Sequence, residues 1–215
     1  MKLKLFLNRK DSICKTFFLA TALFIFSNGY AQKVTPGVRT GFNFSNWNLS
    51  GVPGVEPLSL GSPSAGVFAT LHISKSFSIE PGATFAYLGS KLEYSAIEHI
   101  TSKLTYLQIP LVARYELKNR IAFFTGPQVS FLLNATSSEN DGEKQDAKSI
   151  FKKNDFSIVS GVEYYFAAGF GIRANYTAGL TDIYTQGSEK ITNYSYGISV
   201  TYRLDVAKRK TIAKK

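Results

Sequence analysis

Residues 191–204 read Ile-Thr-Asn-Tyr-Ser-Tyr-Gly-Ile-Ser-Val-Thr-Tyr-Arg-Leu. Tyr194, Tyr196, Ile198, Val200, Tyr202 and Leu204 alternate there with Asn193, Ser195, Gly197, Ser199, Thr201 and Arg203. A strand sends successive side chains to opposite faces, so this stretch predicts a β-strand with one apolar face and one small, polar face. The same period recurs upstream. Leu107, Ile109, Leu111, Ala113 and Tyr115 oppose Tyr106, Gln108, Pro110, Val112 and Arg114. Phe77, Ile79, Pro81, Ala83, Phe85 and Tyr87 oppose Ser78, Glu80, Gly82, Thr84 and Ala86, and Phe170, Ile172, Ala174 and Tyr176 oppose Gly171, Arg173 and Asn175.

Outward from these, period-two segments cover 37–47, 64–73, 77–88, 103–117, 120–133, 155–166, 169–177 and 191–204. Most are close to the roughly 9–11 residues that a tilted membrane strand needs. The connections 74–76, 118–119 and 167–168 are very short, whereas 48–63, 89–102, 134–154 and 178–190 are long and polar. Strict alternation of short and long connections is the pattern of bacterial outer-membrane barrels, with short periplasmic turns and long external loops. The expected fold is all-β: an eight-stranded antiparallel up-and-down transmembrane β-barrel. An even strand number puts both termini on the periplasmic side.

Alternation alone does not separate a membrane barrel from a soluble, lipocalin-like one, because the two differ in which face points inward. Three features choose. The polar face is rich in Gly, Ser, Thr and Ala, which suits a narrow interior. Lys is nearly absent from strand centres, and the charges on the polar face are mostly Arg and Glu, which suits internal pairing. Aromatic residues add a fourth argument. Phe77, Tyr115, Phe123, Tyr164, Phe166, Phe170 and Tyr202 fall at the short-turn rim, and Phe44, Tyr87, Phe131, Phe156, Tyr176 and Tyr194 at the other. Two aromatic girdles around an aliphatic band mark a membrane barrel. Pro81, Pro110 and Pro127 lie inside candidate strands, and each removes a ladder donor, so bulges or irregular pairing are expected there.

The inward polar candidates are Arg39, His72, Glu80, Gln108, Arg114, Gln128, Glu163, Arg173 and Arg203. All but the two glutamines belong to the short-turn half. A layer of Arg–Glu pairs is expected to cross the lumen there, since an eight-stranded barrel is just wide enough for side chains to fill.

The rest of the chain bears on address and function class. It has 215 residues, a formal net charge of +10, 17 Phe and 12 Tyr, but one Trp, one Met and one Cys. The basic residues are spread out or terminal and accompany no basic helix, so no nucleic-acid partner is expected. Lys2, Lys4, Arg9, Lys10 and Lys15 precede the apolar run 16–26, and the small residues Gly29 and Ala31 then stand at the −3 and −1 positions of a cut after Ala31. That order is a secretory signal peptide, 1–31, cut after Ala31. Cys14 lies before the apolar run and leaves with it. The barrel is assigned to 32–204, and 205–215 reads as a basic periplasmic tail. No metal or cofactor site is expected: His72 and His99 lack partners at ligand spacing, and no nucleophile elbow or phosphate-binding loop occurs. Glu80 and Glu163 could form an acid/base pair, but inward Arg residues at similar depth favour structural pairing. No catalytic residues are assigned, and the chain is read as not an enzyme.

Three motifs carry a resemblance. Gly37-Val38-Arg39-Thr40-Gly41-Phe42-Asn43-Phe44-Ser45 opens the first strand, Tyr106-Leu107-Gln108-Ile109-Pro110-Leu111 stands in the middle, and Tyr176-Thr177-Ala178-Gly179-Leu180-Thr181 comes late. Together they resemble the PorT-like outer-membrane β-barrel family over most of the mature chain. The resemblance implies an eight-stranded, porin-like barrel in the outer membrane and makes Pro110 a standard feature. It brings no catalytic residues. The founding member is linked to an outer-membrane protein secretion machinery. The expected role is a structural or binding barrel displaying four external loops, in contact with outer-membrane lipid and monomeric. The alternatives are a narrow channel for small solutes, or an accessory component of secretion or of the cell envelope.

Overall fold

The computed structural model describes residues 34–50, 55–94, 98–117, 120–140, 142–166, 169–185 and 190–204. The signal segment with Ala31, and the basic tail, lie outside them. The strands are β1 (Val34–Ser50), β2 (Glu56–His72), β3 (Phe77–Glu93), β4 (His99–Leu117), β5 (Ile121–Glu139), a two-residue β6 (Gln145–Asp146), β7 (Asn154–Tyr165), β8 (Phe170–Gly179) and β9 (Lys190–Arg203). A 3-10 turn, Lys148–Ile150, precedes β7.

Every pairing is antiparallel. β1 through β5, β7, β8 and β9 follow one another in chain order, and β1 closes onto β9, so eight strands make a ring with no open edge. β6 adds to β5 above the ring. Gly41 pairs with Ser64, Ser64 with Ala86, Ala86 with Tyr106 and Tyr106 with Leu132. Leu132 already lies beyond the last β5–β7 partners, Phe131 and Asn154. This climb is the stagger that closing a tilted sheet demands.

The turn after β2 is set by Ser74, whose Oγ accepts the Phe77 backbone N–H at 3.0 Å. Gly169, in the turn before β8, has φ +90°, a conformation that side chains resist.

The apolar face points outward. Phe42, Val67, Phe85, Leu111, Phe123, Ile172, Ile198 and Val200 are exposed, while Ser78, Glu80, Gln108, Arg114, Gln128, Glu163, Arg173 and Thr201 are buried inside. A soluble barrel has the opposite polarity. At the short-turn rim Phe77 pairs with Tyr115 and Tyr115 with Phe123, and the Phe170 and Tyr202 rings lie 4.6 Å apart. At the other rim the Tyr176 and Tyr196 rings lie 5.0 Å apart.

Two expectations need correction. The first two long connections are mostly strand. β1 to β5 run on well past the upper aromatic rim, so 48–63 and 89–102 form strand pairs such as Glu56–Glu93 and Lys91–Thr101. In these extensions the amphipathy reverses. Leu88, Leu92, Leu104, Leu132 and Ile191 point inward, and Asn48, Lys103 and Asn134 point out. Apolar-in, polar-out is the pattern for a sheet in water, so the reversal marks where the lipid band ends. The polar residues that made these stretches look like loops are the solvated face of strands. The second correction concerns Pro127, since Pro81 and Pro110 do adjoin irregular pairing. The β3–β4 ladder skips from Pro81/Leu111 to Thr84/Gln108, and β4–β5 from Pro110/Gln128 to Ala113/Thr125, each resuming in register. Pro127 pairs with Ile158. The missing donors leave gaps without a slip. The actual register shifts lie between Ser59 and Ser64 and between Thr105 and Tyr106.

Candidate functional site: a layered lumen

The lumen is filled in three layers. The lowest, at the short-turn end, is ionic. Arg114 Nη1 donates to Glu80 Oε2 at 2.5 Å and to Glu163 Oε2 at 2.7 Å. Arg173 Nη1 donates to Glu80 Oε1 at 2.8 Å, and Arg39 Nη2 to the same oxygen at 3.1 Å. Thr70 and Thr201 complete the carboxylates, Thr201 Oγ1 donating to Glu163 Oε1 at 2.6 Å and Thr70 Oγ1 to Glu80 Oε2 at 3.3 Å. The side chains of Glu80, Glu163 and Arg114 are 0% exposed. Buried carboxylates persist only when paired in this way.

Three guanidiniums meet two carboxylates in this cluster, and inward aromatic rings take the remaining faces. Arg173 lies 3.5 Å from the Phe124 centroid and Arg39 4.7 Å from that of Phe68. Tyr165 carries Arg203 at 3.4 Å and Arg114 at 5.5 Å. Such contacts are strongest when desolvated. Each ring has a glycine as its cross-strand partner: Gly37 for Phe68, Gly161 for Phe124 and Gly171 for Tyr165. A Cβ on Gly37 would stand 2.3 Å from Phe68 Cζ, and one on Gly161 2.5 Å from Phe124 Cζ. The glycines are the seats into which the rings fold, and the arginines lie on top of the rings.

The remaining sequence candidates sit around this cluster. Arg203 Nη2 meets Glu116 Oε2 at 3.5 Å, a separate pair joined to the layer through the Tyr165 ring. His72 Nε2 and Thr35 Oγ1 are 3.2 Å apart near the short-turn rim. Gln108 and Gln128 line the second layer, a polar cavity of about 50 Å³ above Arg39 and Arg173, and Gln128 Nε2 donates to Ser157 Oγ at 3.2 Å. Phe68, Phe124, Tyr165, Thr70, Thr201 and Glu116 were not singled out in the sequence. Their signal was register: Phe68 shares a face with His72, Phe124 with Gln128 and Tyr165 with Glu163.

The third layer is apolar and fills the long-connection end. Trp47, Leu88, Leu92, Leu104, Tyr106 and Leu132 from the strands pack with Ala147, Phe151 and Ile183 from the third and fourth connections. Phe151 and Tyr184 form a β-bridge, and the Trp47 and Phe151 rings lie 5.7 Å apart. Asp182 ties the two connections. It accepts Lys152 Nζ at 2.7 Å, Ile191 N at 3.0 Å and Tyr184 N at 3.2 Å. Burial works against its charge, but the Lys152 bond and the two backbone N–H groups hold its carboxyl below the usual range. Below this knot, Thr181 Oγ1 donates to the buried Asp155 at 2.7 Å and accepts Phe156 N at 2.9 Å.

An outward apolar band with two aromatic rims and a polar, closed ring inside it is a membrane barrel, and sequence comparison agrees: residues 30–185 match the outer membrane protein beta-barrel domain. The chain belongs to that family. It is therefore an outer-membrane β-barrel, and its last strand lies beyond the matched segment. Comparison with curated proteins finds no match. Among solved structures, Neisserial surface protein A aligns over 80% of this chain and 100% of its own, with a TM-score of 0.53 and 12% identity. OprG of Pseudomonas aeruginosa aligns over 80% and 97%, with 0.43 and 13%. Ail of Yersinia pestis, determined with the heparin analogue sucrose octasulfate, aligns over 79% and 99%, with 0.43 and 12%. At such identities the likeness to Neisserial surface protein A is one of fold.

Proposed function

We propose that this outer-membrane barrel is a non-enzymatic, closed scaffold that displays its long-connection end outside the cell for a structural or binding role. The observation that carries it is the ionic layer: Glu80, Glu163 and Arg114 block the lumen with side chains that are 0% exposed. Both candidate acid/base carboxylates are committed to guanidiniums. Short turns face the periplasm, both termini lie there, and the mature monomer begins after Ala31. The Tyr106–Leu111 motif supports placement within the PorT-like branch.

Two measurements test this. Planar-bilayer recordings should show no steady large conductance; a stable open level would favour the narrow-channel alternative. The only cysteine of the chain is Cys14, in the signal segment, so new cysteines report topology cleanly. Lys144→Cys should react with an impermeant maleimide on intact cells and Ser74→Cys should not. The reverse labelling would invert the orientation.

A further inference from the structure

Above the apolar layer the barrel mouth holds a pocket of about 310 Å³, at the lower end of the roughly 300–1,000 Å³ of small-molecule sites. Trp47, Leu92, Ile150, Phe151, Tyr184 and Ile191 are among its walls. The part of the wall made by Phe151, Tyr184 and Ile191 is fixed in advance. The Phe151–Tyr184 bridge and the three hydrogen bonds to Asp182 hold them in place, and a preorganised site loses less entropy on binding.

Two features define what fits. Trp47 Nε1–H is buried with no acceptor among the described residues, an open donor in the wall. Among the described residues, Glu139 is the one charged side chain on the lining, and no described Lys or Arg lines it. An anion would meet a carboxylate without a counter-ion, whereas a cation would be drawn to it.

We propose that this pocket binds a small, flat, apolar molecule that is neutral or carries a cationic group directed at Glu139. The site gives the displayed end a ligand class, and it rests on the reading above only for the direction of entry. A conductive lumen would overturn the closed scaffold and leave the pocket standing.

Trp47 is the single tryptophan of the chain, so its emission reports this pocket alone. Three dansyl probes share one ring system: neutral dansylamide, cationic dansylcadaverine and anionic dansylglycine. Each is titrated into protein purified from the outer membrane and held in lipid nanodiscs. Dansylamide and dansylcadaverine should quench Trp47 with saturable energy transfer, and dansylglycine should bind roughly tenfold more weakly. Glu139→Gln, at an exposed position, should remove most of the difference between dansylcadaverine and dansylglycine. Ser137→Phe, filling the pocket, should abolish transfer. Transfer that does not saturate, or persists unchanged in Ser137→Phe, places the probe in lipid and overturns the proposal. If Ser137→Phe fails to fold, Glu139→Gln decides: an unchanged preference for the amine over the acid overturns it.

Discussion

Arg173 and Glu80 stand on strands at opposite sides of the ring, β8 and β3, yet Arg173 Nη1 lies 2.8 Å from Glu80 Oε1. The bond crosses the whole lumen between side chains that are 3% and 0% exposed. Removing either end strands a buried charge. Glu80→Ala, which leaves Arg39, Arg114 and Arg173 sharing one carboxylate, should cost about 3–5 kcal/mol in urea unfolding from lipid vesicles. The double variant Glu80→Leu/Arg173→Leu should cost less than the sum of the single changes, since each removes a charge that the other would have stranded. Additive losses would show that the pair is not coupled.

The seat beneath Phe124 is equally specific. In Gly161→Ala the new methyl would fall 2.2 Å from the Ala174 carbonyl oxygen and 2.5 Å from Phe124 Cζ, so the β8 backbone and the ring under Arg173 must both give way. A loss of about 1–3 kcal/mol is expected from the overpacking. Phe124→Leu in the Gly161→Ala background should recover part of it. A loss that Phe124→Leu leaves unchanged would trace the effect to the nearby Ala174 carbonyl instead.

Thr181 is the end of the third sequence motif, and its hydroxyl both donates to Asp155 and accepts Phe156 N–H. Thr181→Val keeps the shape and removes both bonds. With Asp155 2% exposed, the unmet acceptor should cost about 1–3 kcal/mol. Asp155→Asn, which still offers an oxygen to the hydroxyl, should cost less. Equal losses would argue that the carboxylate charge of Asp155, and not merely an acceptor oxygen, is what the hydroxyl needs.

What could be read from the residues, and what could not, follows from polarity. Within the lipid band, one face is uniformly apolar and the other small or charged, so Phe77 to Tyr87 and Tyr194 to Leu204 are unambiguous and ring closure follows from connection lengths. Above the band the same strands change solvent. Lys91, Lys103 and Asn134 then look like loop residues, and only pairing partners identify them as strand. Phe151 and Ile183 lie in polar runs, and nothing local says that they turn into the barrel mouth. Arg and Glu positions in the lumen were legible from register. The rings that carry them were hidden because aromatic residues at barrel positions read first as girdle.

Acid should loosen the mouth. Asp182 has its carboxyl held below the usual range, so the stability that it contributes is present above the ordinary aspartate value of about 3.9 and is lost as pH falls beneath it. Trp47, 3% exposed at neutral pH, should then shift its emission to the red. Asp182→Asn should show that shift already at neutral pH and remove its pH dependence. An unchanged Trp47 spectrum in Asp182→Asn would show that the knot does not hold the mouth.

The members of the ionic layer come from β1, β3, β4, β7 and β8, so the shortest run of adjacent strands that contains both carboxylates and all of their guanidiniums is seven of the eight in the ring. A partly built sheet in hydrocarbon would therefore carry naked ions, each costing several kcal/mol. Insertion has no inexpensive halfway state. The seam between the first and last strands must join in the same event that sinks the cylinder into the bilayer, so biogenesis of this protein should be a single cooperative step whose quality control is built into its own interior.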